Sequence, residues 1–556
     1  MPSEPVFAPY RLAPGALPEE AARAAAEDEA APLVAGAGEP LPGPLVNAAL
    51  ADVPAGRAAS LAEACRAADG STAGGGGPSR ACASSPRQRA RVAEAARVAL
   101  QAGFAGVCLD RPDAPLALGL LGAGFCPECQ RDLARHLARE YGEQFQPVDY
   151  LALARAAIAQ APGAISYEQL PFGRDFWRVR NDALPRAVGD YARDARDAAR
   201  DANRPFEVVA QFEAVGGAQL RATRHLDAAV FPGLPTSGSS GLGLVRLLRA
   251  VMGRRPCALA PPLERPPAAM ARLAAIAASC GVDLSGVEPW GAAGGEVAAV
   301  RALSRRLQRN GTGPASCDPI AECAILYSTE ADLWTLGRHR AAVERAAEGL
   351  AALHVQAPIV LRVQDAPPTA AIVFAGARGL PPLEAKEAKR RLETGAGGVI
   401  AFGDPACADE TGRLLPGFLP AAKPGGTRVG AGVLAALPAL EGDGARGALD
   451  PVMLERAVGA VIGRGRRAAS LAGRAEVLVV LHRAPGALFA HLFADGPVRV
   501  QGATLFLGQH VAGGARRGRF VSADGQDVRI PLNPSGSALS TVLPAFRGYA
   551  VLSLSI

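Results

Sequence analysis

Lysine is almost absent from these 556 residues; it stands only at Lys386, Lys389 and Lys423, and arginine carries the rest of the positive charge. With abundant alanine, glycine and proline, this is the amino-acid bias of a GC-rich genome, read here as bacterial. The bias weakens two signals: arginine clusters mean less than usual, and alanine-rich stretches read as helix by default. The net charge is only +6, and no block of like charge stands out, so nucleic acid is not an expected partner. No apolar run approaches the ~18 residues of a membrane span. The opening MPSEPVFAPYRL has no basic start followed by an apolar stretch, so no secretory signal is expected and the chain reads as cytoplasmic. Ten cysteines are too sparse for a disulfide scaffold and are expected as free thiols.

What is present is core: 49% of residues are hydrophobic and 20% charged, and the length suggests several domains. The first three hundred residues alternate short apolar runs with helical stretches, the pattern of βα units around a parallel sheet. Candidate strands are 6–12, 32–37, 44–48, 106–110, 207–213, 228–232, 256–261 and 282–290. Eight strands in ~250 residues suit a (β/α)8 TIM barrel. After a break at 309–319 the spacing predicts a doubly wound α/β unit, with strands at 324–328, 359–363, 371–375 and 398–402 and helices at 337–353 and 383–393. From residue 477 alternating strands and Asp-Gly or Pro-Gly turns predict a terminal antiparallel β-domain. The expected domains are 1–312, 320–425 and 450–556.

A βα barrel carries its active site at the C-terminal ends of its strands. Asp110 ends GFAGVCLD and is followed by Arg111 and Asp113. Gln211 and Glu213 close EVVAQFE, Glu264 follows CALAPPLE, and Glu288 and Trp290 lie in GVEPWG. Asn47 ends PLVN. Glycoside hydrolysis needs one carboxyl as acid and a second as nucleophile or base. Asp110, Glu213, Glu264 and Glu288 are therefore the candidate catalytic set. Asn47, Arg111, Asp113, Gln211 and Trp290 are candidates to line the sugar site, with Trp290 stacking on a ring. Strand-end carboxylates also cap helices or pair with arginine, and this chain is rich in arginine.

Cys126-Pro-Glu-Cys129 is the one C-x-x-C pair. Structural zinc takes four ligands, and no second close pair exists; Cys108 is the nearest thiol in sequence. The seven histidines show no H-x-H or H-E-x-x-H spacing. No metal and no cofactor is expected, and a packing role is expected for Cys126 and Cys129. Amidotransfer in the second domain would need a nucleophilic cysteine at a strand-helix elbow. The elbow-like FAGARG has Arg378 there, and Cys407, His339 and His354 form no evident pair.

The segments GFAGVCLDRPD, GFCPECQRDLARHLAREYG and DFWRVRNDALPRAVGDYARDARDAARDANRPFEVVAQ resemble barrel domains of hypothetical glycoside hydrolases. AILYSTEADLW and AAIVFAGARGLPPLEAKEAKRRLETGAGGVIAFGDPACADETGR resemble the trimerisation domain of glycoside hydrolase family 42 β-galactosidases, which has a glutamine-amidotransferase-like fold. Barrel, trimerisation domain and small β-domain, in that order, is the β-galactosidase arrangement. The resemblance implies a carbohydrate substrate, no cofactor, and a homo-oligomer, with a trimer as the form that domain serves. One departure stands out. The family carries Asn-Glu at the end of its fourth strand, where this chain has Leu109-Asp110. A catalytic Asp there resembles α-galactosidase-like and amylase-like barrels, in which it is the nucleophile. That analogy makes Asp110 the nucleophile and Glu213 the acid/base of a retaining hydrolase. The alternative is a catalytically inactive relative that binds carbohydrate or serves as a scaffold.

Overall fold

The structure is a computed structural model. It describes all residues except 1–5, 12–29, 37–48, 61–62, 74–78, 119–120, 143–148, 161–166, 233–240, 261–266, 285–293, 311–312, 377–379, 404–421, 424, 441–448, 464–465, 474–476 and 495–498.

Eight parallel strands form the first sheet in sequence order: β1 (Val6–Arg11), β2 (Ala30–Gly36), β3 (Ala49–Val53), β4 (Gly106–Asp110), β5 (Glu207–Gln211), β6 (Ala228–Pro232), β7 (Cys257–Ala260) and β8 (Asp283–Leu284). β8 returns to β1, so the sheet closes. The fold is an α/β TIM barrel with a β-rich C-terminal region. Side chains alternate across a strand, and the packing follows that period. Leu50, Cys108, Val209, Val230 and Ala258 cluster together inside the barrel. Val107, Leu109, Val208, Ala210 and Phe231 face the surrounding helices, among them Pro86–Gln101 and Gly173–Asp201. The third strand lies at Ala49–Val53 rather than at the expected 44–48, which is outside the described residues.

A linking strand, β9 (Asp318–Pro319), is followed by β10 (Cys323–Leu326), β11 (Ile359–Val360), β12 (Ala371–Ala375), β13 (Val399–Phe402), β14 (Thr427–Val429) and β15 (Gly432–Leu437). β10 to β15 make one sheet in the order β11-β10-β12-β13-β15-β14, parallel except for the β14–β15 pair. Helices Arg338–Ala352, Pro382–Thr394 and Pro451–Ile462 pack on it. The expected joins at 425 and 450 thus fall within this unit: β15 is one of its interior strands, and the helix after Asp450 covers β15 and β13.

The remaining strands form two antiparallel sheets. One holds Ala469–Ala472, Thr504–Gly508, Ala538–Val542 and Asn533–Ser535. The other holds Val477–Ala484, Ala487–Ala494, Arg517–Ser522, Asp527–Pro531 and Tyr549–Ser555, and takes in β9 as an edge. Their inner faces share one core, containing Leu481, Leu492, Leu505, Phe520, Phe546 and Leu552. Among the described residues no helix is long and apolar enough to cross a membrane.

Candidate functional site at the barrel mouth

Asp110 is the last residue of β4, and its strand parity is that of Cys108, so it faces inward at the C-terminal rim. Gln211 is level with it on β5 and shares the parity of Val209. Glu213 lies two residues further on, beyond the end of β5. Gln211, rather than Glu213, is therefore the residue opposite Asp110.

Arg111 joins the two carboxylates. Its Nε donates to both oxygens of Asp110 at 3.1 and 3.3 Å, and its Nη1 donates to Glu213 Oε1 at 3.3 Å. Arg80 adds a second bond to the same Glu213 oxygen at 2.9 Å. Asp110 is buried, while Glu213, Arg111 and Arg80 are partly open to solvent. Both carboxylates are held by charge-assisted bonds, which are the stronger kind.

The backbone carries the cost of this placement. Arg111 has φ 48, in the left-handed region that non-glycine residues rarely adopt. Its N–H donates to Gln211 O at 2.8 Å. On the other side, Gly56 N–H donates to Asp110 O at 2.9 Å, and a Cβ at Gly56 would lie 1.9 Å from Arg111 O. Only glycine permits the β3 loop to approach this closely.

Asp113 is not a sugar ligand. It has no exposed surface, and it accepts from the N–H groups of Glu213 and Ala214 at 2.9 and 3.0 Å and from Gln219 Nε2 at 2.8 Å. Burial pushes its carboxyl up to about 6, against the three donors. Asp113 positions the backbone that carries Glu213. Its partner Gln219 gave no sequence signal, because the helix Gly217–Ala222 is short and plain. Arg80 was equally hidden among the other arginines. Asn47, Glu264, Glu288 and Trp290 lie outside the described residues.

Beside the mouth the fold assembles a group that local spacing hid. Cys65, Cys82, Cys126 and Cys129 bring their sulfurs within 4.8 Å of one another. Cys82 is 3.2 Å from Cys126 and 3.5 Å from Cys129, and Cys65 is 4.0 Å from Cys126. Bridges Arg57↔Arg80 and Ala64↔Ala81 fold the β3 loop back on itself and set Cys65 beside Cys82. The start of helix Pro127–Tyr141 brings the other pair, with Cys126 at its N-cap. Gly124 N–H donates to the Cys65 sulfur at 3.1 Å.

Tetrahedral zinc with ~2.3 Å bonds to sulfur separates its ligands by roughly 3.8 Å, and these spacings straddle that value. The hydrogen bond with Cys126 is the leading influence on three of these thiols: it draws Cys65 down and pushes Cys82 and Cys129 up. Four thiols this close ionise together only around a cation. The donor set fits a closed structural zinc site, which would tie the β3 loop to the helix after β4 and leave no open position for chemistry. The expectation of no metal is revised on this ground, and with it the packing role for the C-x-x-C pair. Cys108 is not a member; it lies inside the barrel.

No family profile matches the sequence, and no curated protein does. Solved structures match over nearly its whole length. The cold-adapted β-galactosidase of Rahnella sp. R3 superposes with a TM-score of 0.65 at 13% identity, covering 100% of this chain and 98% of that one. The β-galactosidase of the psychrophilic Marinomonas ef1 gives 0.63 at 14%, covering 100% of both chains. The α-L-fucosidase isoenzyme 2 of Paenibacillus thiaminolyticus gives 0.60 at 11%, covering 91% of this chain and 87% of that one. A GH42 β-galactosidase is also among the matches, at 0.59 and 12% identity. The architecture is that of the family 42 β-galactosidases, as the sequence resemblance implied, and the likeness is one of fold.

Proposed function

We propose that this chain is a glycoside hydrolase that acts on a carbohydrate with two carboxylates at the barrel mouth. The observation that carries the reading is the single guanidinium of Arg111 touching Asp110 and Glu213. One guanidinium held by both keeps those oxygens within about 9 Å, inside the ~5 to ~9.5 Å that spans retaining and inverting pairs. In this reading Asp110 is the nucleophile. It faces inward, and Arg111 holds both its oxygens. Glu213 is the acid/base, and the entering sugar displaces Arg80 and Arg111 from its Oε1. Glu264 and Glu288 are the alternates for that role.

The same arginine contacts favour a second reading, an inactive relative that binds carbohydrate. A general acid presents a proton to the leaving-group oxygen, and the Glu213 Oε1 is already engaged by two guanidinium groups.

A panel of aryl β-galactosides and aryl α-fucosides, assayed with wild type, Asp110→Asn and Glu213→Gln, separates the two. The expected result is hydrolysis by wild type and a loss of about 1,000-fold or more in each variant, the size seen when a residue of a catalytic unit is removed. Glycoside binding without turnover selects the second reading. Neither binding nor turnover across the panel removes both.

The second unit would then serve assembly, as an amidotransferase-like domain of the trimerisation type. Leu383 and Val452, 78% and 75% exposed on its helices, support an interface there. The nine described cysteines are all free of disulfides, in keeping with a reducing compartment.

A further inference from the structure

Arg57 and Arg80 stand opposite each other in an antiparallel bridge of the β3 loop. Residues directly opposite in such a pair send their side chains to one face, and like charges there are destabilising. The loop holds the pair in place all the same: Ala58 N–H donates to Ser79 O at 2.9 Å, and Arg80 N–H donates to Ala73 O at 2.8 Å. Arg57 is exposed, and no carboxylate among the described residues forms an ion pair with it. Arg80 has one side-chain bond, from Nη1 to Glu213 Oε1 at 2.9 Å. Arg111 brings a third guanidinium, shared between Asp110 and Glu213.

Two carboxylates at the rim answer these three cations. The other acids nearby are committed elsewhere. Asp113 is buried under three donors, and Glu63 of the same loop is taken by Arg91. Asp52 lies one layer deeper, level with Cys108.

An acid/base at Glu213 sharpens the consequence. A general acid is protonated, and a proton on either oxygen of Glu213 removes the one counter-charge that Arg80 has. The Arg80 side chain is only 20% exposed. A neutral sugar that shuts water out of the mouth would leave it a poorly solvated cation, which is costly. A sugar that carries its own negative charge replaces the lost partner. The fork geometry suits such a group, as Arg111 already shows by placing Nε and Nη2 on the two oxygens of Asp110 at 3.1 and 3.2 Å.

We propose that the mouth takes an acidic glycoside, whose carboxylate or sulfate replaces Glu213 on Arg80 with Arg57 beside it. The proposal rests on the two-carboxylate reading of the mouth. The exchange conserves charge within the site: the substrate anion pairs with Arg80, and Glu213 is released to carry a proton.

The test compares an aryl galactoside, the matching aryl galacturonide, and the aryl galactoside sulfated at its primary hydroxyl. Each is assayed in both anomers with the full chain at fixed ionic strength. The expected result is a kcat/KM at least about tenfold higher on an acidic compound than on its neutral match, as one charge-assisted pair provides. The acidic compound that responds tells carboxylate from sulfate. Arg80→Gln should bring that ratio down to about one, mainly through a higher KM for the acidic compound, and Arg80→Lys should restore part of it. Where Arg80→Gln does not fold, Arg57→Gln at its exposed position should lower the same ratio. Where nothing is turned over, calorimetry with galacturonate, the sulfated galactose and galactose should show the same preference in Kd, weakened in the same variants. Equal values for acidic and neutral compounds, or a preference that survives the arginine variants, overturns the proposal. Neutral turnover that is lost in Asp110→Asn would then leave the two-carboxylate reading standing without it. Neither binding nor turnover of any compound overturns both.

Discussion

The two ends of the barrel handle charge in opposite ways. At the mouth each described carboxylate has donors: Arg111 on Asp110, Arg80 and Arg111 on Glu213, and two backbone N–H groups and an amide on Asp113. At the floor an arginine is buried against a carbonyl, and two histidines, His482 and His491, are buried with one ring nitrogen each lacking a described partner. Buried polar groups are normally paired, and a buried charge without a partner is expensive. The mouth is thus complete in itself, held in a charged arrangement that a substrate must rearrange. The floor depends instead on buried rings that burial holds neutral. The two ends should therefore fail under different conditions.

The largest effect should come from the thiol group. The β3 loop that carries Cys65 and Cys82 also carries Arg80, so the sulfurs fix one of the two cations on Glu213. Cys126→Ser, or exhaustive chelation, should cost on the order of 5 kcal/mol of local stability, as structural zinc sites contribute folding energy outright. Elemental analysis should find one zinc per chain in wild type and much less in the variant. Hydrogen exchange should rise in residues 54–85 and 122–141 while residues 242–252 stay protected. Full protection of the β3 loop without metal would mean that the four thiols are only packing.

The floor should break with acid. His482 is buried neutral with its pKa lowered to about 4, and His491 is likewise held down by burial and by its neighbour His482. The unfolded chain takes these protons near pH 6.5. Stability from the neutral rings is therefore complete above pH 6.5 and is lost as pH falls through about 4. For His482 alone this is about 3 kcal/mol. Chemical denaturation between pH 7 and 4 should show that slope, and His482→Gln should flatten it. A variant with an unchanged slope would place the acid sensitivity elsewhere.

The legibility of the chain follows the same physical lines. β4 was readable because Gly106–Asp110 is buried on both faces and so reads as a continuous apolar run ending in a charge. The third strand was misplaced because its residues, ALADV, are alanine-rich and carry little β-propensity. The thiol group was missed because spacing rules see only Cys126 and Cys129, while Cys65 and Cys82 arrive through a folded loop. Asp110 and Glu213 were readable as strand-end carboxylates. Which arginines hold them was not, since Arg80 looks like any other arginine in this composition. The end of the second unit was missed because a strand past residue 425 enters its sheet from a stretch that resembles a linker.

The smallest effect sharpens the mouth. Asp113 has its carboxyl raised to about 6 by burial, while its donors fix the backbone at Glu213 and Ala214. The folded protein holds that proton more tightly than the unfolded chain, whose carboxyl titrates near ~3.9. The group's stability is therefore complete below about pH 4 and is lost as pH rises through about 6. Over that window the change is about 2 to 3 kcal/mol, opposite in sign to that of His482. Asp113→Asn carries no titrating proton and turns an N–H donor toward backbone N–H groups. It should cost most near pH 4, and its deficit against wild type should shrink by pH 7. In the same variant the Glu213 loop should loosen, so any turnover should fall with the loop rather than with the metal content. If instead Asp113→Asn shows a constant deficit from pH 4 to 7, Asp113 is ionised throughout. Its three donors then outweigh its burial, and the mouth is charged at every position.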